Sequence, residues 1–381
     1  MDVAHKRNLQ ELLAVSAVFF VVAIALRVPQ LLALAGMTYP DGRVFGGDFI
    51  NLWSAGRLVL EHRVDEIYQP AALQVYQEAL AGTGIGMRLW VYAPYSLFLA
   101  VPFALLDFYL SFIVWTLMGL GVLWYGARRF GFGPLEAFVI VASPATQLCI
   151  DNGQTGNLAA GLLLLALAPK NRTFWIAPLA ATILTIKPQL GLLLPLFWAM
   201  ERRWRDIAVT SVLVVALVGC AVLVFGRPVW DAYLGQTLPA LSKLEKYGVG
   251  PFTTMIPSVF MSLRLVTGNP DVAIIVHAVC AALIGVVVIW RMARTTDPLR
   301  RAGLVLIGTV LITPYIHNYD LNLLVCACLL ALRPSATHPR RDKIAPRVII
   351  YAFAVPILVM YLNRLGVPLS PLLMVPVVFL L

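Results

Sequence analysis

Residues 207–225 read IAVTSVLVVALVGCAVLVF, and this stretch decides the fold class. It contains no charged side chain and shows no polar helical face. As a helix it is about 28 Å long, close to the ~30 Å hydrocarbon core of a bilayer. Residues 158–168, LAAGLLLLALA, are likewise apolar on every helical face. Such runs carry the signature of lipid solvation. The composition agrees: 60% of the residues are hydrophobic and 13% charged, against roughly 25% charged in soluble domains. The first apolar segment, 12–34, is long enough to span and lacks a small-residue cleavage site, so it reads as a retained span rather than a signal peptide. No low-complexity region or internal repeat is evident. The chain is therefore expected to be an all-α polytopic membrane protein, one integral membrane domain over 1–381 with about 10–13 transmembrane helices.

The net charge of +10 invites a nucleic-acid reading, but the basic residues fall in short clusters between apolar segments. That is the pattern of cytoplasmic loops facing anionic lipid, so the expected partner is the bilayer and not nucleic acid. The five cysteines, Cys149, Cys220, Cys280, Cys326 and Cys328, all sit in apolar stretches. They are expected to be small buried hydrophobes, with no disulfide framework.

Basic residues cluster at Lys6/Arg7, Arg128/Arg129, Lys170/Arg172, Arg202/Arg203/Arg205, Arg291/Arg294/Arg300/Arg301 and 333–347. Placing all six inside satisfies the positive-inside rule. Segments 36–88, 151–157, 226–270 and 313–320 then face the other side, and they carry many of the acidic residues. Two stretches resist simple span counting. Residues 90–106 contain Pro94 and Pro102 and read as an interfacial or re-entrant helix, followed by a true span at 108–125. This makes 36–107 the first extracytoplasmic loop and 226–270 the second large one. Residues 174–200 start and end at inside charges, so they are expected to go out and back as two short helices meeting at Lys187–Pro188–Gln189. Non-helical backbone at that depth is tolerated only inside protein or beside a polar cavity. Within the first loop, Phe49, Leu52, Trp53, Gly56, Val59 and Leu60 repeat with helical spacing. They predict an amphipathic helix on the membrane surface, with Trp53 and Tyr68 suited to the interface.

Four polar constellations stand out, because charge near hydrocarbon is costly. Asp48 follows Gly46–Gly47 and either caps the surface helix or does chemistry. Residues 152–157, NGQTGN, are dense in amides that suit sugar hydroxyls or phosphate oxygens; a capped turn is the plainer alternative. Lys187 either neutralises a phosphate between two half-helices or snorkels from a helix end. Residues 313–320, TPYIHNYD, put His317 three residues from Asp320 among tyrosines, a better site candidate than a lone histidine. One His and one Asp make no convincing zinc site. There is no Walker A loop, dinucleotide fingerprint or HExxH.

These residues fall into an ordered set: Asp48, the Trp53-x-x-Gly56-Arg57 helix, Asp65–Glu66–Ile67–Tyr68, Tyr92–Ala93–Pro94, Gly153–Gln154, Ile186–Lys187–Pro188–Gln189, and Pro314, His317, Tyr319 and Asp320. The set resembles glycosyltransferase family 87, multi-spanning enzymes similar to the polyprenol-phosphate-mannose-dependent mannosyltransferases. The similarity covers most of the chain and is weakest over 335–381. It departs at Tyr92–Ala93–Pro94, where Tyr-Pro-Pro is expected. The resemblance implies a GT-C-like bundle whose first extracytoplasmic loop supplies an acidic general base, matched by Asp48. The implied function is transfer of a hexose, mannose foremost, from a polyprenyl phosphate to a lipid or glycan acceptor. The implied place is the outer face of the inner (cytoplasmic) membrane. Asp48 and His317 are then the expected catalytic residues. Lys187 and His317 are placed at the leaving phosphate, Gln154, Asn157, Arg57, Tyr319 and Gln189 at the donor's phosphate or sugar, and Asp320 at His317 or the sugar. No cofactor or metal is required. The alternative from another class is a lipid or polysaccharide transporter or flippase, which would carry paired midplane charges and repeat symmetry.

Overall fold

A computed structural model describes residues 3–169, 174–333 and 339–381. The Lys170/Arg172 cluster and the side chains of Arg340 and Arg341 lie outside the described residues. The described chain is helical throughout, with two isolated bridges near Thr38 as its only β pairing, as an all-α membrane protein should be. Five helices have the length and apolarity to cross a bilayer: Val3–Leu32, Phe108–Phe130, Trp204–Phe225, Pro270–Arg294 and, within Pro339–Arg364, residues 342–364. The shortest has 22 residues and is about 33 Å long. Their outward faces are apolar, for example Val212, Val215, Leu223 and Val224 on Trp204–Phe225. Apolar faces of this extent require lipid rather than water.

The remaining apolar helices are shorter. They include Gly156–Leu167, Pro298–Ile312, Asn322–Ala331 and Ser370–Leu380. Here one expectation is corrected. Every residue of Gly156–Leu167 is buried inside the protein, so the 158–168 run is covered by neighbouring helices and not by lipid. Its close partner is Phe108–Phe130: a Cβ on Gly126 would stand 2.4 Å from the Gly161 carbonyl oxygen. Small residues admit such backbone approach between membrane helices. The cysteine expectation is also corrected in part. Cys149, Cys326 and Cys328 are buried free thiols, but Cys220 is exposed and Cys280 half-buried; both project from long helices whose neighbours face outward.

The first loop folds as Phe49–Leu60, Val64–Ile67 and Pro70–Ala81, then Leu97–Ala104. The expected helix after Asp48 forms, and its apolar face is buried protein core: Phe49, Ile50, Leu52, Ala55 and Leu58. Tyr68 is not an interfacial ring. It is fully buried, receives a hydrogen bond from Trp90 Nε1 at 3.2 Å, and donates one to the Tyr92 carbonyl at 3.1 Å. The 226–270 segment packs on this loop, with Thr237 Oγ1 donating to the Tyr68 carbonyl at 3.1 Å and the Tyr68 and Tyr233 rings edge to face at 5.5 Å. The expected pair of short helices in 174–200 is present as Ile176–Leu184 and Leu194–Met200, joined through a 3₁₀ turn at Pro188–Gly191. Proline excludes helical backbone at the residue before it, and Lys187 has φ −127° and ψ 72°.

The opposite ends of the short helices are tied by basic side chains. Arg333 forks onto Glu136 at 3.1 and 2.9 Å, His5 Nε2 lies 3.4 Å from the same carboxylate, and Arg203 donates to the Ala168 carbonyl at 3.0 Å. Gly156–Leu167 and Asn322–Ala331 run from the polar loops to this basic end.

Candidate functional site

The site is assembled on the turn at 152–156. Asp48 N donates to the Asn152 carbonyl at 2.9 Å. Gly153 has φ +58°, and a Cβ there would stand 2.1 Å from the Gly46 carbonyl oxygen. Only glycine allows both the left-handed backbone and this approach. The stitching brings Gln154 Nε2 to Asp48 Oδ2 at 2.6 Å. Arg88 Nη1 donates to the other carboxylate oxygen, Oδ1. The carboxylate makes no hydrogen bond to the N-terminal amides of its own helix, so it does not act as a side-chain cap. It is 39% exposed, open to a ligand on one side.

Two residues further along the turn, the backbone meets the second half of the site. A Cβ on Gly156 would stand 2.2 Å from the Tyr319 carbonyl oxygen and 3.1 Å from Asp320 Oδ1. Asp320 accepts from Lys187 Nζ at 2.6 Å, and both side chains are buried. The ammonium lies 5.2 Å from the Tyr319 ring centre, and the His317 ring stacks on the same tyrosine at 4.8 Å and 8°. The charges of Asp320, Lys187 and Asp48 all act on the His317 ring, so the two groups belong to one site. Tyr92 senses both groups. Its hydroxyl is 3.2 Å from Thr155 Oγ1, and the charges of Lys187, Asp320 and Asp48 all act on it.

His317 lies in the turn after Pro298–Ile312. Burial pushes its imidazole down to about 4, with Asp320 opposing and Lys187 adding to the shift. The ring is therefore neutral at physiological pH and can donate or accept a hydrogen bond, but it is not a cation. Asp320 engages Lys187 rather than His317. Tyr319 supplies the aromatic floor under both.

The other sequence candidates fall elsewhere. Asn157 points inward: its Oδ1 accepts from Asn322 Nδ2 at 2.7 Å, and Asn322 Oδ1 accepts from Ser143 and Thr146 at 3.1 and 3.0 Å. That buried network holds three helices together. Arg57 sits nine residues beyond Asp48, roughly 13 Å along the helix, beside Glu61 at 3.6 Å and over Trp53. Gln189 is exposed. Arg88 is the site residue that sequence reasoning passed over. Its signal was a lone arginine closing a glycine-rich turn, 82–86, just before an apolar stretch. Among the described residues no three His, Cys, Asp or Glu side chains converge as a metal site.

The family model for glycosyltransferase family 87 matches residues 90–314, well over half of the chain. The chain belongs to glycosyltransferase family 87. No curated protein and no solved structure matches it. The family 87 match takes in Tyr92, Gln154, Lys187 and Gln189. Asp48, Arg57, Arg88, His317, Tyr319 and Asp320 lie beyond its ends, and all of these but Arg57 are joined to it by the contacts above. Family 87 membership makes the protein a membrane glycosyltransferase and decides against the transporter alternative.

Proposed function

We propose that this family 87 enzyme transfers a hexose, mannose foremost, from a polyprenyl phosphate to a lipid or glycan acceptor. In this reading the site faces the outside of the inner membrane, where a membrane-bound donor replaces nucleotide sugars. The observation that carries the proposal is the Asp48 carboxylate, partly open and uncapped, held beside a buried lysine and a neutral histidine. A base and an anion-binding group in one site suit an in-line displacement with inversion. The acceptor oxygen bonds to the anomeric carbon as its proton passes to Asp48. The bond from that carbon to the phosphate oxygen breaks, and polyprenyl phosphate leaves with the electron pair. Lys187 offsets the charge gathering on the phosphate, and His317 donates a hydrogen bond to it. Gln154 fixes the carboxylate's orientation, and Tyr319 offers a ring face to the sugar.

General-base assistance contributes roughly 10²–10⁴ in rate. Asp48→Asn keeps the side-chain shape and an oxygen for Gln154 but removes the proton acceptor. Purified enzyme with synthetic polyprenyl-phosphate mannose and a membrane extract as acceptor should lose about a hundredfold or more in turnover, with unchanged expression and melting temperature. Wild-type turnover in the variant would refute the assignment.

A further inference from the structure

Arg88 is held differently from Arg63 and Arg333. Arg63 forks onto Glu66 with two bonds of 2.8 Å, and Arg333 forks onto Glu136 at 3.1 and 2.9 Å. Arg88 touches Asp48 end-on through Nη1, its only hydrogen bond among the described residues. Its Nε is buried and has no partner, and the side chain is only 19% exposed. A guanidinium has five N–H donors in a fixed fork, and a buried donor without an acceptor is unfavourable. The fork is thus largely unfilled, while the backbone of the next residue is tied down. Asn51 Nδ2 reaches the Leu89 carbonyl at 3.4 Å, and Gln77 Nε2 holds Asn51 Oδ1 at 3.1 Å. An oxyanion with several oxygens is the ligand that fills such a fork.

We infer that Arg88 exchanges partners during the reaction: at rest it pairs with Asp48, and the phosphate of the arriving donor draws its guanidinium away. This rests on the polyprenyl-phosphate reading above. The exchange couples donor binding to catalysis. While Arg88 sits on Oδ1, that oxygen is occupied. Once the phosphate takes the guanidinium, Oδ1 is free to receive the acceptor proton. The donor therefore binds before the acceptor can react, and an acceptor that arrives alone finds Oδ1 already taken. Asp48 and the phosphate compete for one cation.

That competition gives an unusual expectation, read by binding farnesyl phosphate and farnesol to the purified full-length protein. The wild type should prefer the phosphate. Arg88→Gln should weaken farnesyl phosphate binding about ten- to hundredfold and leave farnesol binding unchanged, whereas a merely structural arginine would affect both lipids alike. Arg88→Lys should restore part of the loss. Asp48→Asn should tighten farnesyl phosphate binding several-fold, and adding Arg88→Gln should abolish that gain, a coupling that a double-mutant cycle reads directly. Unchanged phosphate affinity in Arg88→Gln, equal losses for both lipids, or no gain in Asp48→Asn would each overturn the exchange. If Arg88→Gln does not fold, Asp48→Asn and Arg88→Lys carry the test. A wild type that binds farnesol as tightly as farnesyl phosphate would instead remove the donor reading beneath it.

Discussion

Lys187→Met is the perturbation whose size follows most directly from the structure. Lys187 and Asp320 form an ion pair at 2.6 Å with side chains 8% and 4% exposed. Removing one partner leaves a buried carboxylate without its cation, which costs about 3–5 kcal/mol. For a chain of 381 residues that corresponds to a fall in melting temperature of about 5 °C, scaling from soluble domains. The stability loss would by itself lower activity, so the single variant does not isolate a role in donor binding. Lys187→Met with Asp320→Asn removes the charge from both sides and should recover most of the lost melting temperature, since a neutral pair is far cheaper to bury. If Lys187 also meets the donor phosphate, the recovered double variant still binds farnesyl phosphate at least about tenfold more weakly than wild type. Thermal unfolding in detergent and lipid-phosphate titration on the same preparations separate the two effects. An unchanged melting temperature for Lys187→Met would refute the buried-pair reasoning. Wild-type phosphate affinity in the double variant would reduce Lys187 to a strut.

Three further outcomes are expected. Gly153→Ala should lower turnover about a hundredfold, because a Cβ 2.1 Å from the Gly46 carbonyl oxygen drives Asp48 off Gln154 and small misplacements are that costly; Gly121→Ala, inside the helix Phe108–Phe130 with nothing within 4 Å, should stay near wild type in the same assay. Because burial holds His317 at about 4 against an ordinary 6.5, the unfolded chain takes this proton first, so His317 lowers stability as pH falls from about 6.5 toward 4. His317→Asn should flatten that part of the melting-temperature profile, and an identical profile would contradict the neutral ring. A cysteine at Thr83, exposed in the first loop, in a background lacking the native thiols should react with an impermeant maleimide in intact cells. Labelling only after lysis would invert the orientation.

The residues that meet at the site were mostly visible in the sequence, as polar groups set among apolar segments, where each demands a reason. The broken helix at Lys187–Pro188 was legible because a proline acts locally on its predecessor's backbone. The partners were not legible. Lys187 meets Asp320 across 133 positions, Gln154 meets Asp48 across 106, and Arg88 meets Asp48 across 40. No periodicity encodes such pairings; they depend on which loops pack on the turn at 152–156. Asn157 shows the same limit, being an amide in an amide-rich turn that the packing directs into the core.

The sequence by itself determined the membrane class, the all-α architecture, the helix after Asp48 and the family. Each follows from local composition, spacing or motif order. Only the tertiary structure distinguished residues 207–225 from 158–168. Both are apolar on every face, yet the first exposes Val212, Val215 and Leu223, and the second is enclosed on all sides. Hydrophobic periodicity reports that a helix avoids water. It cannot report whether lipid or protein replaces the water, because the two surroundings are equally apolar and differ only in how closely neighbouring backbones approach.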